Sequence, residues 1–370
     1  MPALTLAPVL SFFSAFQRVH PSVPLRTFLR TTSHKLRPAR LQPHLTGTRE
    51  AQERVLARGA ARGDQLATIW HESHPGSRPT IVLGGFVPDA TEQVLLLRGH
   101  LAKSGPVYYV HYPADGFSFD LLCAQLDDLI ADLARTMARP PVLFTVSYGS
   151  GLALAWLRRH RESGRSPRLG GLILISPVAC LDDLMEPAAP KPTTLLGRAI
   201  KPYLESGETV QADAVEKSRA VFARMFEAGA QNKAALQFLL TRGELTRLRA
   251  AVTQTIRQIT PRGAVERVRS LCAMPRIDQA SPHLLPLTEA PVLILYAEKE
   301  SAVLVETSPT RRALLSAAQF WFPHSETRVI TNPRGAPVQH ASLIFHGANF
   351  LPPILAFYRR LKSRKIRVAA

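Results

Sequence analysis

Short, almost wholly apolar runs alternating with amphipathic stretches constrain this chain more than any other feature of it. Thr80–Leu83, Val107–His111, Pro141–Val146 and Gly170–Ile175 each have the length and composition of a strand buried on both faces. The plainest of the intervening stretches carries Leu121, Leu122, Leu126, Leu129, Ile130 and Leu133 at helical spacing, with Asp127, Asp128 and Asp132 turned outward. Parallel neighbours need a crossover, and alternating strands and helices supply one each time. The expected fold class is therefore α/β: a mostly parallel twisted sheet with helices on both faces. Gln65–Trp70 reads as a first strand, with helices over Glu50–Ala61 and Gln93–Ser104.

The alternation stops between Pro177 and Ala290. Pro187, Pro190 and Pro192 open that region, and three helical stretches follow at about 209–229, 231–259 and 261–272. The sheet resumes with Ala290–Tyr296 and ends with Glu326–Thr331, and Phe350–Leu361 closes the chain as a helix. The expected organisation is a core of residues 50–180 and 290–361 with a helical insertion over 181–289. A basic, poorly structured segment (1–49) precedes it and a basic tail (362–370) follows.

The net charge of +18 is unevenly placed. Seven Lys and Arg between residues 1 and 49, and six between 359 and 370, stand without a single acid, so thirteen of the charges sit at the two ends and five remain for the body. That distribution argues against a specific nucleic-acid-binding domain. It leaves two readings of the ends: solvated tails, or peripheral contact with an anionic surface, membrane lipid or nucleic acid. The apolar run Leu4–Phe16 is too short to span a bilayer and lacks a preceding basic residue, which fits a secretory signal poorly. On a helix it would cover an apolar patch of the main domain or lie in a membrane interface. Residues 1–49 also have the acid-free, Arg- and Ser-containing character of an organellar transit peptide. Cys123, Cys180 and Cys272 are far apart and in no ligand spacing, so a reducing, cytoplasmic setting is expected, with no disulfide framework. No nucleotide-binding glycine signature, metal-ligand cluster or redox motif occurs, and the expectation is no cofactor and no metal.

Within this frame Thr145-Val-Ser147-Tyr-Gly149-Ser-Gly151 joins a strand to a helix through one serine among small residues. A serine on so sharp a turn is held out at the end of its strand, and glycines let the helix pack back. The pattern resembles the nucleophile elbow of the α/β-hydrolase superfamily, Gly-x-Ser-x-Gly, with Thr145 in place of the first glycine. Gly84-Gly85-Phe86 at the end of the Thr80–Leu83 strand resembles the superfamily's oxyanion loop, with Gly84 where histidine is frequent. The resemblance implies that the Tyr148 and Phe86 N–H groups hold the charge developing on a carbonyl oxygen. The helical insertion then takes the place of a lid.

A serine hydroxyl needs a base, and the base an orienting acid. The superfamily's order is serine, acid after a late strand, histidine after the last strand. On that order Ser147 is the nucleophile, Glu300 in Tyr296-Ala-Glu-Lys-Glu300 the acid, and His340, ten residues beyond Ile330, the base, preferred to His346. Glu298, and Asp182 with Asp183 after the Ser176 strand, stay open as alternative acids. The resemblance implies a serine hydrolase, esterase- or lipase-like, acting on a small or lipid-like carboxylic ester or thioester. An acyltransferase, or a silent hydrolase fold used for binding, stays open beside it.

Overall fold

The computed structural model describes residues 40–363 apart from 60–62, 188, 206–209, 231–241 and 334, together with ten scattered positions between 11 and 33. Eight strands form one sheet: β1 (Leu41–His44), β2 (Thr68–Glu72), β3 (Thr80–Leu83), β4 (Val107–His111), β5 (Val142–Val146), β6 (Gly171–Ile175), β7 (Val292–Ala297) and β8 (Ser325–Ile330). Their order is β1-β2-β4-β3-β5-β6-β7-β8. β1 and β2 are antiparallel to their neighbours, and the other six strands run parallel. The expected fold class is borne out.

The central strands are buried on both faces because each residue parity meets its own layer of helices. Ile81, Leu83, Leu143, Leu172, Leu174 and Ile294 face a cluster containing α4 (Phe119–Thr136) and α5 (Tyr148–Glu162). Val82, Phe144, Val146, Ile173, Ile175, Leu293 and Leu295 face α11 (Leu343–Ser363) on the other side. Burial of a side chain of this size contributes roughly 1.5–3 kcal/mol before conformational entropy is set against it.

Several boundaries differ from the sequence reading. Leu41–His44 pairs with Ile69–Glu72, so the last part of the segment expected to be poorly structured is an edge strand. The signal was weak because β1 is one short strand containing Pro43 with little apolar character. The helix expected over Gln93–Ser104 is two short pieces, α2 (Ala90–Gln93) and α3 (Arg98–Leu101). The first expected strand begins three residues later and ends two later, as β2, and α1 (Glu50–Gly59) packs on α4 through Asp128, which accepts the N–H groups of Ala51 and Gln52.

The insertion between β6 and β7 contains α6 (Leu195–Glu205), α7 (Ala212–Ala230), α8 (Arg242–Gln258) and α9 (Pro261–Ala273). α6 was hidden from pattern reading by the prolines before it and Pro202 inside it. Part of the stretch expected over 231–259 lies outside the described residues, as does most of the apolar run at Leu4–Phe16. α10 (Pro309–Trp321), capped by Ser308, links β7 to β8 and has no counterpart in the sequence reading. Among the described residues no helix is long and apolar enough to cross a membrane.

Candidate active site

β3 and β5 are neighbours in the sheet although β4 lies between them in sequence, so the chain reverses its direction of winding at this point. A crevice opens at the carboxyl ends of strands at such a reversal. Leu83 of β3 is level with Thr145 of β5, which brings Gly84–Phe86 beside Ser147. Ser147 stands at φ 51°, ψ −115°, and α5 begins at the next residue. A Cβ on Gly149 would lie 2.3 Å from the Gly84 carbonyl oxygen, and one on Gly151 would lie 2.1 Å from that of Val178. Both glycines are therefore required for the helix to return onto the sheet. Thr145, where the superfamily pattern has glycine, is fully buried and satisfied: its hydroxyl lies 2.9 Å from Ser150 Oγ and donates to the Ile173 carbonyl at 2.9 Å.

The remaining groups arrive from the ends of the next strands. His340, in the loop after β8, has Nε2 2.8 Å from Ser147 Oγ, and its Nδ1 is hydrogen-bonded to Glu300 Oε2. Glu300 follows β7 and is 3% exposed, which makes the quality of its partners decisive. Its other oxygen accepts from the Ala297 N–H at 2.6 Å and from Ser176 Oγ at 2.8 Å. Ser176 in turn accepts the Ala341 N–H at 3.2 Å, tying the end of β6 to the loop that carries the histidine.

Of the alternative acids, Glu298 accepts the N–H groups of Asn332 and Val338 and so braces the loop that carries His340. Asp183 is spent on the Ala179 and Cys180 N–H groups, Ser308 and Thr310. Asp182 pairs with Arg276. His346 bonds Ser342 and the Ala336 carbonyl. The sequence order thus converges on Ser147, His340 and Glu300 in one connected row.

Among the described residues, the only non-glycine positions with left-handed backbone are Ser147, Ser176 and Ala341, and all three belong to this row or its supports. Sparsely populated backbone of this kind costs roughly 1–3 kcal/mol per residue and persists only where its surroundings enforce it.

Phe86 and Tyr148 flank the serine, and among the described residues neither N–H is bonded to a carbonyl. The Phe86 carbonyl is held by Arg267 of α9, whose guanidinium also donates to the Tyr112 and Pro113 carbonyls and lies over the Phe86 and Tyr112 rings. Burial presses the Arg267 pKa below its ordinary value. Tyr148 is tied to the same helix through Ser270 Oγ, 2.5 Å from its hydroxyl. Ser176 and Arg267 were missed in the sequence. Ser176 could have been noticed as the polar residue ending an apolar strand, whereas nothing local marks Arg267.

A cavity of about 130 Å³ opens on Ser147 and His340. Much of its wall is apolar, with Phe222 and Phe226 from α7, Val252 and Ile256 from α8, and Ile344 and Phe345 from α11; Gln93, Gln339 and Ser342 are polar members. Phe222 stacks on Phe86 at 5.7 Å between ring centroids, so α7 of the insertion packs against the loop that follows β3.

No family model and no curated protein sequence matches the chain. Solved structures do. A thermophilic esterase from Thermogutta terrifontis superposes with a TM-score of 0.53 at 18% identity, over 80% of this chain and 94% of its own. The chain has the α/β-hydrolase fold. A membrane phospholipase A, described as a bacterial virulence factor, matches this α/β-hydrolase fold with a TM-score of 0.53 at 13% identity over 98% of this chain and 94% of its own. An epoxide hydrolase from Bacillus megaterium gives 0.53 at 12% identity, over 79% and 97%. At such identities the likeness is one of fold, and the chemistry has to be argued from the residues.

Proposed function

We propose that the chain is a serine hydrolase that cleaves a carboxylic ester or thioester with an apolar acyl group. The observation that carries this reading is the unbroken row Ser147 Oγ, His340, Glu300, opening onto an apolar cavity. Ser147 Oγ adds to the carbonyl carbon while its proton passes to His340 Nε2. The carbonyl π pair moves onto oxygen, facing the Phe86 and Tyr148 N–H groups. Collapse breaks the bond to the leaving alcohol or thiol, which takes the proton from Nε2. Water then attacks the acyl-enzyme, gives its proton to Nε2, and the acid departs as Ser147 recovers its hydrogen. Glu300 accepts the Nδ1–H throughout, holding the tautomer and stabilising the imidazolium.

The cavity walls favour an uncharged acyl group, because a buried carboxylate or ammonium would find no counter-charge among Phe222, Phe226, Val252, Ile256 and Phe345. That the structural neighbours include esterases and a phospholipase agrees with the reading. The experiment is labelling with a fluorophosphonate probe together with p-nitrophenyl esters of graded chain length. Labelling lost in Ser147→Ala, with hydrolysis of apolar acyl esters, is expected. Folded wild-type protein that takes no label and turns over none of the esters would instead favour a silent hydrolase fold.

A further inference from the structure

Gln93 is an amide side chain placed beside both Ser147 and the Gly84–Phe86 loop. It sits at the end of α2, is 5% exposed, and lines the cavity together with Ser147 and His340. Its Oε1 accepts the Gly85 N–H at 2.7 Å. That bond fixes the amide, since only the oxygen can accept, and so fixes where the NH2 group lies. Among the described residues Nε2 donates no hydrogen bond. The NH2 group is left open at the cavity surface, where it can donate to a ligand that carries an acceptor.

The glycine at 85 shows which way the amide nitrogen faces. Gly85 does not have left-handed backbone, so conformational freedom does not explain it. A Cβ there would lie 3.0 Å from Gln93 Nε2 and 3.5 Å from Ser147 Cβ. The absent methyl is the space separating the Gln93 amide from the serine.

We infer that Gln93 Nε2 is a side-chain donor to the substrate's carbonyl oxygen, acting beside the Phe86 and Tyr148 N–H groups as negative charge develops there. The inference rests on the reading of Ser147 as nucleophile and names a further group of that same site. Preorganised donors of this type act mainly on the transition state, where the oxygen carries full charge.

The test uses p-nitrophenyl ester kinetics, inhibition by a trifluoromethyl ketone, which forms a tetrahedral oxyanion on the serine, and thermal melting. Gln93→Met, which removes the donor, is expected to lower kcat by about 10- to 100-fold with KM little changed, and to raise the ketone's inhibition constant by a similar factor. Gly85→Ala, which pushes the amide away from the serine, is expected to lower kcat in the same way. In the double variant the two losses should not add, because the methyl has nothing left to displace. Gln93→Glu retains an acceptor for the Gly85 N–H, so recovery of wild-type kcat by that variant would show that only loop support matters and would overturn the inference. Wild-type kcat in Gln93→Met, or strictly additive losses in the double variant, would overturn it too while wild-type labelling of Ser147 leaves the hydrolase reading standing. Absence of labelling and turnover in the wild type would remove both.

Discussion

Replacing Ser147 by glycine should make the protein more stable than replacing it by alanine, reversing the usual order of those two residues. Both changes delete the hydroxyl and its hydrogen bond to His340, a loss of roughly 0.5–1.5 kcal/mol that cancels in the comparison. They differ in the Cβ, which at φ 51°, ψ −115° is strained for any residue but glycine. Relief of that strain is worth roughly 1–3 kcal/mol. Against it stands the extra freedom glycine gives the unfolded chain, about 0.4–1 kcal/mol. The net expectation is about 1 kcal/mol in favour of glycine. For a chain of 370 residues that corresponds to a melting point higher by about 1 °C. Differential scanning calorimetry of the two variants reads it, with Ala153→Gly in the same helix as the reference, where ordinary helical backbone makes glycine cost about 1 kcal/mol. A Ser147→Gly protein that melts below Ser147→Ala would refute the claim that the elbow stores strain.

Three further outcomes follow from the same geometry. Glu300→Gln should lower kcat by about 10³-fold or more with little loss of stability, whereas Glu298→Gln should chiefly lower the melting point by loosening the His340 loop; steady-state kinetics and melting of both separate the roles. Arg267→Met leaves the Phe86, Tyr112 and Pro113 carbonyls without their donor, and an increased unfolding tendency of about 3 kcal/mol is expected in urea titration; an unchanged midpoint would contradict it. Burial raises the Glu92 carboxyl to about 7, so the folded state binds its proton more tightly than the unfolded chain does, and stability contributed below pH 4.5 is lost as pH rises towards about 7. Glu92→Gln should therefore raise the melting point at pH 8 and leave it nearly unchanged at pH 4, and equal shifts at both would show that ionisation is not the cause.

Much of the core was legible because buried parallel strands write themselves as unbroken apolar runs. Thr80–Leu83 and Val107–His111 are observed at the residues expected, and the runs around Ser147 and Ser176 differ by a residue at most. Residues converging from strand ends were legible by order along the chain, since each strand of a parallel sheet delivers its C-terminal loop to the same edge. The choice among acids was not, because Glu298 and Glu300 are two residues apart and only the turn after β7 decides which meets the imidazole. β1 was illegible because pairing with β2, and not its own composition, makes it a strand. Arg267 is meaningful only through what it touches across the fold, at a separation of 181 residues, and Gln93 only through the turn that brings its amide back to Gly85, 8 residues earlier.

The gathering of left-handed backbone at Ser147, Ser176 and Ala341 bears on how such a chain would age in evolution. If the row turns over substrate as proposed, each position must keep a side chain or a spacing that the local backbone resists. On the serine-hydrolase reading, a lineage freed from that demand would gain stability by drifting to glycine at Ser147, whereas Ser176 would give up its bonds to Glu300 and to the Ala341 N–H. On the proposed reading of Ser147, glycine at 147 in a descendant that still folds would be the mark of retirement from chemistry, legible from sequence without any assay.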